Sequence, residues 1–237
     1  MPFRPQKISK KRVNVVYTAG TNDHREMMRA WEILGCDVTL VSVTDPSANF
    51  ADADIVVFPG GFADGDYLGA AKVWHHLMET KYRDQMDFLR TGKIPVLGIC
   101  NGFQLMTRSG FFGNNLRLIQ NTSGMFEHRW VRTRFTQESS QSIWTKGLEG
   151  MELCVPVAHG YGKFVKDGAM TEARISLRYE PDLYPNNPNG SDEAIAAVFS
   201  GSRGQFWGCM PHPERACEPW HFTQHGLVLF ENLLRNL

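Results

Sequence analysis

Short strand-like runs alternate with amphipathic stretches in the first half of the chain, and this alternation constrains the fold more than any other feature. Four runs rich in apolar and β-branched residues predict strands, at 13–19, 37–43, 55–58 and 94–99. Two amphipathic stretches between them predict helices, one around Met27, Trp31 and Leu34 and one over 70–90. Because this order is typical of βαβ units, we predict an α/β fold with a mostly parallel central sheet and helices on both faces.

The second half of the chain has a different pattern, with short strands separated by turn residues. The runs that predict strands are 116–121, 125–135, 152–155, 173–179, 193–199 and 205–210. A last helix is predicted from an apolar stripe of Leu227, Phe230, Leu234 and Leu237. We expect antiparallel strands added to the parallel sheet. We also predict a basic arm over residues 1–11 and a single domain over 12–237, because no linker-like segment divides the chain.

Composition excludes several classes of function. The chain has 25 Lys and Arg against 25 Asp and Glu, whereas a general nucleic-acid binder needs surplus cations. No apolar run approaches the roughly 20 residues that cross a bilayer, and the N-terminal segment lacks the apolar core of an export signal. The five cysteines are dispersed without a Cys-x-x-Cys, which favours free thiols in a reducing compartment. We therefore predict a cytoplasmic protein that binds neither nucleic acid nor membrane.

A Gly-x-Cys-x-Gly pattern at 98–102 joins a predicted strand to a predicted helix. This is the thiol version of a nucleophile elbow, a tight turn that lifts the nucleophile above the sheet edge. Gly98 and Gly102 remove Cβ atoms that would collide with backbone in such a turn. The N-terminus of the following helix favours a negative charge on Cys100. A buried structural cysteine stays an equal alternative on this pattern alone.

A thiolate nucleophile requires an imidazole and a group that orients it. His212 and Glu214 flank Pro213, which keeps the segment out of a helix, so that both side chains can point to one side. Glu214 could then hold one ring nitrogen of His212 while the other faces Cys100. In isolation the pair favours a surface His and Glu in a Pro-rich turn, but a catalytic function is favoured downstream of an elbow in an α/β chain.

Acyl chemistry also needs N–H donors for the oxyanion that develops in the reaction. The Pro-Gly-Gly-Phe segment at 59–62 follows another predicted strand and should reach the same edge of the sheet as Cys100. The N–H groups of Gly61 and of Asn101, just after the nucleophile, are the candidate pair of donors.

A competing hypothesis assigns the same region to zinc. The pattern Cys-x2-His-x4-Cys-x3-His superficially resembles the ligand pattern of a zinc site. Its four residues are Cys209, His212, Cys217 and His221. Three prolines stiffen the chain between them, and His212 cannot both bind zinc and serve Cys100. We therefore expect no metal site in the chain.

Three of these motifs follow one another along the chain. They are Pro-Gly-Gly-Phe at 59–62, Gly-Ile-Cys-Asn-Gly-Phe-Gln at 98–104 and Met-Pro-His-Pro-Glu-Arg at 210–215. Together they resemble the triad-type, or class I, glutamine amidotransferases. Longer stretches at 59–68, 156–160, 187–191 and 210–216 resemble the glutaminase subunits of phosphoribosylformylglycinamidine synthase. The resemblance runs from about residue 13 to the end of the chain.

This resemblance implies hydrolysis of L-glutamine to glutamate and ammonia through a thioester on Cys100. It implies that His212 is the acid and base, that Glu214 orients it, and that Gly61 and Asn101 form the oxyanion hole. The implied substrate-binding residues are Gly60, Phe62, Gln104 and His159, the last with a role at the edge of the site or towards a partner.

The resemblance also implies a partner, the large synthetase subunit, and in many bacteria a small third subunit. The synthetase would use ATP and Mg to convert formylglycinamide ribonucleotide to formylglycinamidine ribonucleotide with the delivered ammonia, a step of de novo purine biosynthesis. No cofactor is implied in this chain itself.

Some positions depart from the family pattern. Tyr161 stands where Glu commonly follows His-Gly, Gly69 stands where a basic residue commonly follows Asp-Tyr-Leu, and the loop at 19–23 differs from the usual Pro-Gly-Ser-Asn-Cys-Asp. These departures concern partner docking rather than the triad. Two other functions stay open: a stand-alone γ-glutamyl hydrolase and a catalytically silent scaffold subunit. An α/β-hydrolase is disfavoured, because its acid normally precedes its histidine at wide separation.

Overall fold

The computed structural model describes residues 10–237. Its strands are β1 (Arg12–Tyr17), β2 (Asp37–Ser42), β3 (Ile55–Phe58), β4 (Val96–Ile99), β5 (Leu116–Ile119), β6 (Glu127–Phe135), β7 (Glu152–His159), β8 (Lys163–Lys166), β9 (Ala173–Tyr179), β10 (Ile195–Ser200) and β11 (Phe206–Cys209). Its α-helices are α1 (His24–Ile33), α2 (Lys72–Lys81), α3 (Arg83–Arg90), α4 (Asn101–Arg108) and α5 (Leu227–Asn236). Short 3₁₀ helices cover Ala63–Asp66, Gln137–Gln141, Asp192–Ala194 and Pro213–Ala216.

One nine-stranded sheet organises the described residues, in the order β2-β1-β3-β4-β11-β10-β9-β6-β7. The strands from β2 to β11 in this order are parallel, and β10, β9, β6 and β7 extend the sheet in antiparallel pairing. Every residue of β3, β4 and β11 is buried, as expected of strands covered on both faces. The predicted α/β sheet with added antiparallel strands is confirmed.

The predicted apolar faces of the first and last helices meet in the core. Met27, Trp31 and Leu34 are fully buried. The ring of Trp31 lies edge-to-face on Phe230 of α5, with centroids 4.9 Å apart. Leu227 and Leu234 are also buried, whereas Leu237, the last residue of the predicted stripe, is 40% exposed. The stripe therefore ends one turn earlier than predicted.

The stretch predicted as one helix over 70–90 is two helices, so this prediction was wrong. The chain leaves helical geometry at Tyr82, where φ is −117° and ψ is 25°. The Tyr82 hydroxyl donates hydrogen bonds to the carbonyl oxygens of Val43 at 2.7 Å and Asp45 at 3.2 Å. Its ring packs edge-to-face on Phe50 at 5.5 Å. These contacts with distant segments fix Tyr82 outside a continuous helix, and no local periodicity reports them.

Two differences concern the antiparallel strands. β7 continues to His159, beyond the predicted end at residue 155, although it contains Pro156. It tolerates proline because it is an edge strand, paired only with β6. The pairing of β5 with β8 was not predicted, because β8 has only two apolar residues, Phe164 and Val165.

Three other predictions concern the chain as a whole. Within residues 10–237, no helix combines the length and apolar character needed to cross a membrane. All five cysteines are free. The division into an arm and a single domain stays a prediction, and residues 1–9 of the arm lie outside the described residues.

Candidate active site

Loops from four neighbouring strands bring the candidate residues to one edge of the sheet. β1, β3, β4 and β11 are adjacent and parallel, so the loops that follow them emerge on the same side. Asp23 follows β1, Gly60 and Gly61 follow β3, Cys100 follows β4, and His212 follows β11. Residues far apart in the sequence therefore meet at one place.

Cys100 occupies the sharp turn between β4 and α4. Its backbone has φ 49° and ψ −105°, a strained conformation for a residue with a side chain. The turn is held from both sides, because the N–H of Cys100 donates to the carbonyl of Cys209 at 2.8 Å and its carbonyl accepts from Gln104 N–H at 3.0 Å. The Cys100 sulfur lies 3.8 Å from the carbonyl oxygen of Ala158. The structure thus provides the strand–turn–helix context that the elbow requires.

The two glycines of the elbow leave no room for a side chain. A Cβ on Gly102 would lie 1.8 Å from the carbonyl oxygen of Phe58 in β3. A Cβ on Gly98 would lie 2.6 Å from the Met106 sulfur and 2.8 Å from the Gly102 carbonyl oxygen. The absence of both Cβ atoms therefore lets α4 approach the sheet directly behind the nucleophile.

We expect Gly102→Ala to destabilise the protein by about 3 kcal/mol, because α4 must move away from the carbonyl of Phe58 to relieve the overlap. Urea unfolding measures this change. Gly160→Ala is the matched control, since its Cβ would make an ordinary contact of 4.0 Å with Phe126. Equal stability of the two variants would contradict the close approach of α4 to β3.

His212 is buried between two carboxylates. Its side chain is 1% exposed, and its Nδ1 lies 2.6 Å from Glu214 Oε1 and 3.1 Å from Asp23 Oδ2. Burial alone would lower the pKa of His212, but Glu214, Asp23 and Cys100 raise this pKa well above the ordinary value of 6.5. The ring therefore carries a positive charge near neutral pH. Cys100 is one of the groups that raise this pKa, and the His212 Nε2 has no hydrogen-bond partner among the described residues, which leaves it available to the thiol.

Asp23 was not predicted as a site residue. Its carboxylate is buried, contacts His212, and pairs with the guanidinium of Arg215. An acidic residue in a turn before a helix is common, so the local sequence gave no reason to select it. One signal was present: Asp23 follows the first predicted strand, and its loop therefore reaches the same sheet edge as Cys100.

A cavity of 310 Å³ opens beside the candidate oxyanion donors, lined in part by Asp23, Gly61, Phe62 and Ala158. A Cβ on Gly61 would lie 2.7 Å from the backbone nitrogen of Asn22, so the backbone itself forms this part of the wall. Asn101 begins α4, and first-turn N–H groups have no acceptor within their own helix. The assignment of Gly61 and Asn101 as the oxyanion hole stays a prediction.

The other predicted substrate-binding residues have different surroundings. Gly60 adjoins the triad, since a Cβ there would lie 2.9 Å from His212 Cε1. Phe62 is 47% exposed at the cavity. Gln104 is buried, and its amide accepts a hydrogen bond from Asn101 Nδ2 at 2.9 Å and donates one to the Tyr161 carbonyl at 2.5 Å. These contacts assign Gln104 to holding neighbouring loops, and its contact with substrate stays a prediction.

His159 lies inside the protein rather than at a partner-facing surface. Its side chain is 3% exposed, its Nδ1 lies 3.2 Å from Asn121 Oδ1, and its Nε2 has no hydrogen-bond partner among the described residues. Asn121 Oδ1 also accepts from the Gly162 N–H, so it acts as an acceptor for both groups. Burial, assisted by the charge of His212, lowers the pKa of His159 to about 3.

This buried neutral histidine predicts acid sensitivity. The unfolded chain binds a proton at His159 near its ordinary pKa of 6.5, whereas the folded chain does so only near a pKa of about 3. Stability is therefore lost as pH falls from 6.5 towards 3, by roughly 4–5 kcal/mol for this residue. We expect His159→Gln to flatten the acid side of the curve of unfolding free energy against pH. The exposed His76→Gln is the control, and a His159→Gln curve parallel to that of the wild type would contradict the prediction.

The four residues of the zinc hypothesis do not form a cluster. The thiols of Cys209 and Cys217 donate to the carbonyl oxygens of Pro211 and Pro213. His221 Nδ1 accepts from the N–H groups of Cys217 and Glu218, so it serves as a local cap. Among the described residues, the one group with ligand atoms at metal-binding separation is Asp23, His212 and Glu214. The geometry therefore does not support the competing zinc hypothesis.

Comparison with known proteins places this chain in a family. The model of the CobB/CobQ-like glutamine amidotransferase domain matches residues 10–231. A phosphoribosylformylglycinamidine synthase subunit PurQ from Thermotoga maritima is 35% identical over 234 residues, covering 96% of this chain and 99% of the relative. The phosphoribosylformylglycinamidine synthase of Drosophila melanogaster is 36% identical over 233 residues, covering 86% of this chain and 17% of that longer protein.

Solved structures agree with these matches. The structure of PurLQS from Thermotoga maritima contains a chain with a TM-score of 0.83 and 33% identity, covering 96% of this chain and 99% of that one. The glutaminase domain of CTPS from Trypanosoma brucei has a TM-score of 0.58 at 14% identity and shares the fold alone. The resemblance inferred from the motifs is thus confirmed, and the chain belongs to the family of CobB/CobQ-like glutamine amidotransferase domains.

Proposed function

We propose that the chain is the glutaminase subunit of a phosphoribosylformylglycinamidine synthase and supplies ammonia for purine biosynthesis. The observation that carries this proposal is the meeting of Cys100, His212 and Glu214 at one sheet edge, in a chain similar over almost its full length to subunits of that name. The glutamine side chain would enter the cavity beside Gly61 and Phe62.

The geometry supports the following two-step reaction. The sulfur of Cys100 attacks the carboxamide carbon of glutamine, and the N–H groups of Gly61 and Asn101 stabilise the oxyanion. The His212 imidazolium donates its proton to the nitrogen as the C–N bond breaks, so ammonia leaves and a γ-glutamyl thioester remains. Neutral His212 then takes a proton from water, which attacks the thioester and releases glutamate. Glu214, 2.6 Å from Nδ1, keeps the other ring nitrogen directed towards Cys100.

A synthetase subunit belongs to the same proposal. It would use ATP and Mg to activate formylglycinamide ribonucleotide and would receive the ammonia. The resemblance adds a small third subunit in many bacteria. Exposed apolar side chains near the cavity support such a partner: Phe62, Met125, Phe126 and Tyr161 are each between 47% and 60% exposed. Tyr161, one of the departures from the family pattern, therefore lies on the surface proposed for docking. The cytoplasmic location is likewise part of the proposal.

The test is the release of glutamate from glutamine by the purified chain, alone and with the synthetase, nucleotide substrate and ATP. We expect low activity alone and a sharp rise in the complex. Equal activity in both conditions would favour a stand-alone γ-glutamyl hydrolase. No activity in either condition, with stable complex formation, would favour a silent scaffold.

A further inference from the structure

We propose that Asp23 is a positioning residue of the glutaminase reaction. Asp23 shares the Nδ1 proton of His212 with Glu214 and holds the ring opposite Cys100. This inference rests on the proposed function. The motifs of the sequence assign the orienting role to Glu214 alone, and the structure adds a second carboxylate from a distant loop.

The two carboxylates restrain His212 from two directions. Glu214 is carried by the same 3₁₀ helix that follows His212, with its Oε1 2.6 Å from Nδ1. Asp23 comes from the loop between β1 and α1, with its Oδ2 3.1 Å from the same nitrogen. Both side chains are at most 2% exposed. Asp23 therefore fixes the His212 segment to the N-terminal part of the sheet, which Glu214 cannot do.

Two local features indicate that the Asp23 carboxylate serves His212 rather than helix α1. Asp23 is the N-cap residue of α1, a position where aspartate normally accepts hydrogen bonds from the first-turn N–H groups, yet its side chain makes no capping bond. Gly60 provides the space for the carboxylate, because a Cβ there would lie 2.2 Å from Asp23 Oδ2 and 2.9 Å from His212 Cε1.

The surrounding charges keep Asp23 ionised. Burial would raise the pKa of Asp23, but hydrogen bonding and charge interactions with His212 and Arg215 lower it below 3.8. Arg215 pairs with the second carboxylate oxygen. The charged or titratable groups around His212 are Asp23, Glu214, Cys100, His159 and, through Asp23, Arg215. Asp23 raises the pKa of His212, so neutralising Asp23 should let His212 lose its proton at lower pH.

Asp23→Asn tests this role in the full chain, because asparagine keeps the shape and the capping ability but removes the charge. We expect the titration midpoint of His212, followed by NMR of the histidine Cε1–H groups, to fall by about one pH unit. In the complex, kcat for glutamine should fall by roughly tenfold with KM changed less than twofold. Glu26→Gln is the control, since Glu26 acts on Arg215 but does not contact His212, and it should leave both quantities unchanged.

The outcomes are distinct. An unchanged His212 midpoint and kcat in Asp23→Asn, beside an active wild-type complex, would overturn the role of Asp23. A loss of thermal stability without a shifted midpoint would also overturn it, since a merely structural residue behaves in this way. If Asp23→Asn does not fold, Asp23→Ser gives the same comparison, because serine also removes the charge and can cap the helix. A wild-type complex without glutaminase activity would instead refute the proposed function. In that case the His212 titration midpoint would still test whether Asp23 interacts with His212.

Discussion

Replacing Cys100 with alanine should abolish glutamine-dependent synthesis by the complex and leave ammonia-dependent synthesis intact. In the proposed reaction the thioester forms on the Cys100 sulfur. The neighbouring thiol of Cys209 does not replace it, because burial raises the pKa of Cys209 and its thiol donates to the carbonyl oxygen of Pro211. We expect glutamine-dependent turnover to fall by a factor on the order of 10⁴ or more, as when the nucleophile of a triad is removed. Ammonia from solution should bypass this step, because the proposed synthetase partner would use it directly.

The measurement is the initial rate of product formation with glutamine or with an ammonium salt as nitrogen source. Cys36→Ala is the matched control, because Cys36 is a half-buried free thiol remote from the sheet edge, and burial raises its pKa to about 11. We expect wild-type rates for this control. Equal loss of both activities in Cys100→Ala would mean that Cys100 supports the assembly rather than glutamine cleavage alone.

Replacing His212 with asparagine should have the second largest effect, again a loss of several orders of magnitude in glutamine-dependent turnover. Without the imidazolium, the leaving nitrogen receives no proton and the water that attacks the thioester has no base. Glu214→Gln should reduce turnover less, because the ring remains and Asp23 still contacts its Nδ1.

The His212 variant also leaves two buried carboxylates without their imidazolium, so its folding must be measured beside its activity. His221→Asn is a suitable control, since His221 Nδ1 caps the N–H groups of Cys217 and Glu218 and has no role in the proposed chemistry. A folded His212→Asn variant that retains glutaminase activity would remove His212 from the mechanism. A loss of activity that matches the loss of folded protein would point to stability alone.

The sequence predicted the framework of the site because the signals there are local. β3 and β9 have the bounds predicted from their apolar runs, and Cys100 and His212 each follow a strand that ends in turn residues. Neighbouring parallel strands then place both loops at one edge, a consequence of topology rather than of contacts.

The features that were missed depend on contacts between distant segments. Tyr82 interrupts a helix because its hydroxyl reaches Val43 and Asp45, and Asp23 joins the site because its loop meets the segment after β11. Periodicity cannot report such contacts, and an aspartate before a helix is ordinarily a cap. β8 pairs with β5 through backbone bonds that its sequence does not reveal.

Direct detection of the thioester tests the central claim most sharply. The complex, supplied with glutamine, nucleotide substrate and ATP, would be quenched in acid during turnover, digested, and analysed by mass spectrometry. We predict a γ-glutamyl adduct on the peptide that contains Cys100, absent from the Cys100→Ala complex and unaffected by Cys36→Ala. Glutamine hydrolysis with the adduct on another residue would contradict the account, and so would hydrolysis by the Cys100→Ala complex at the wild-type rate.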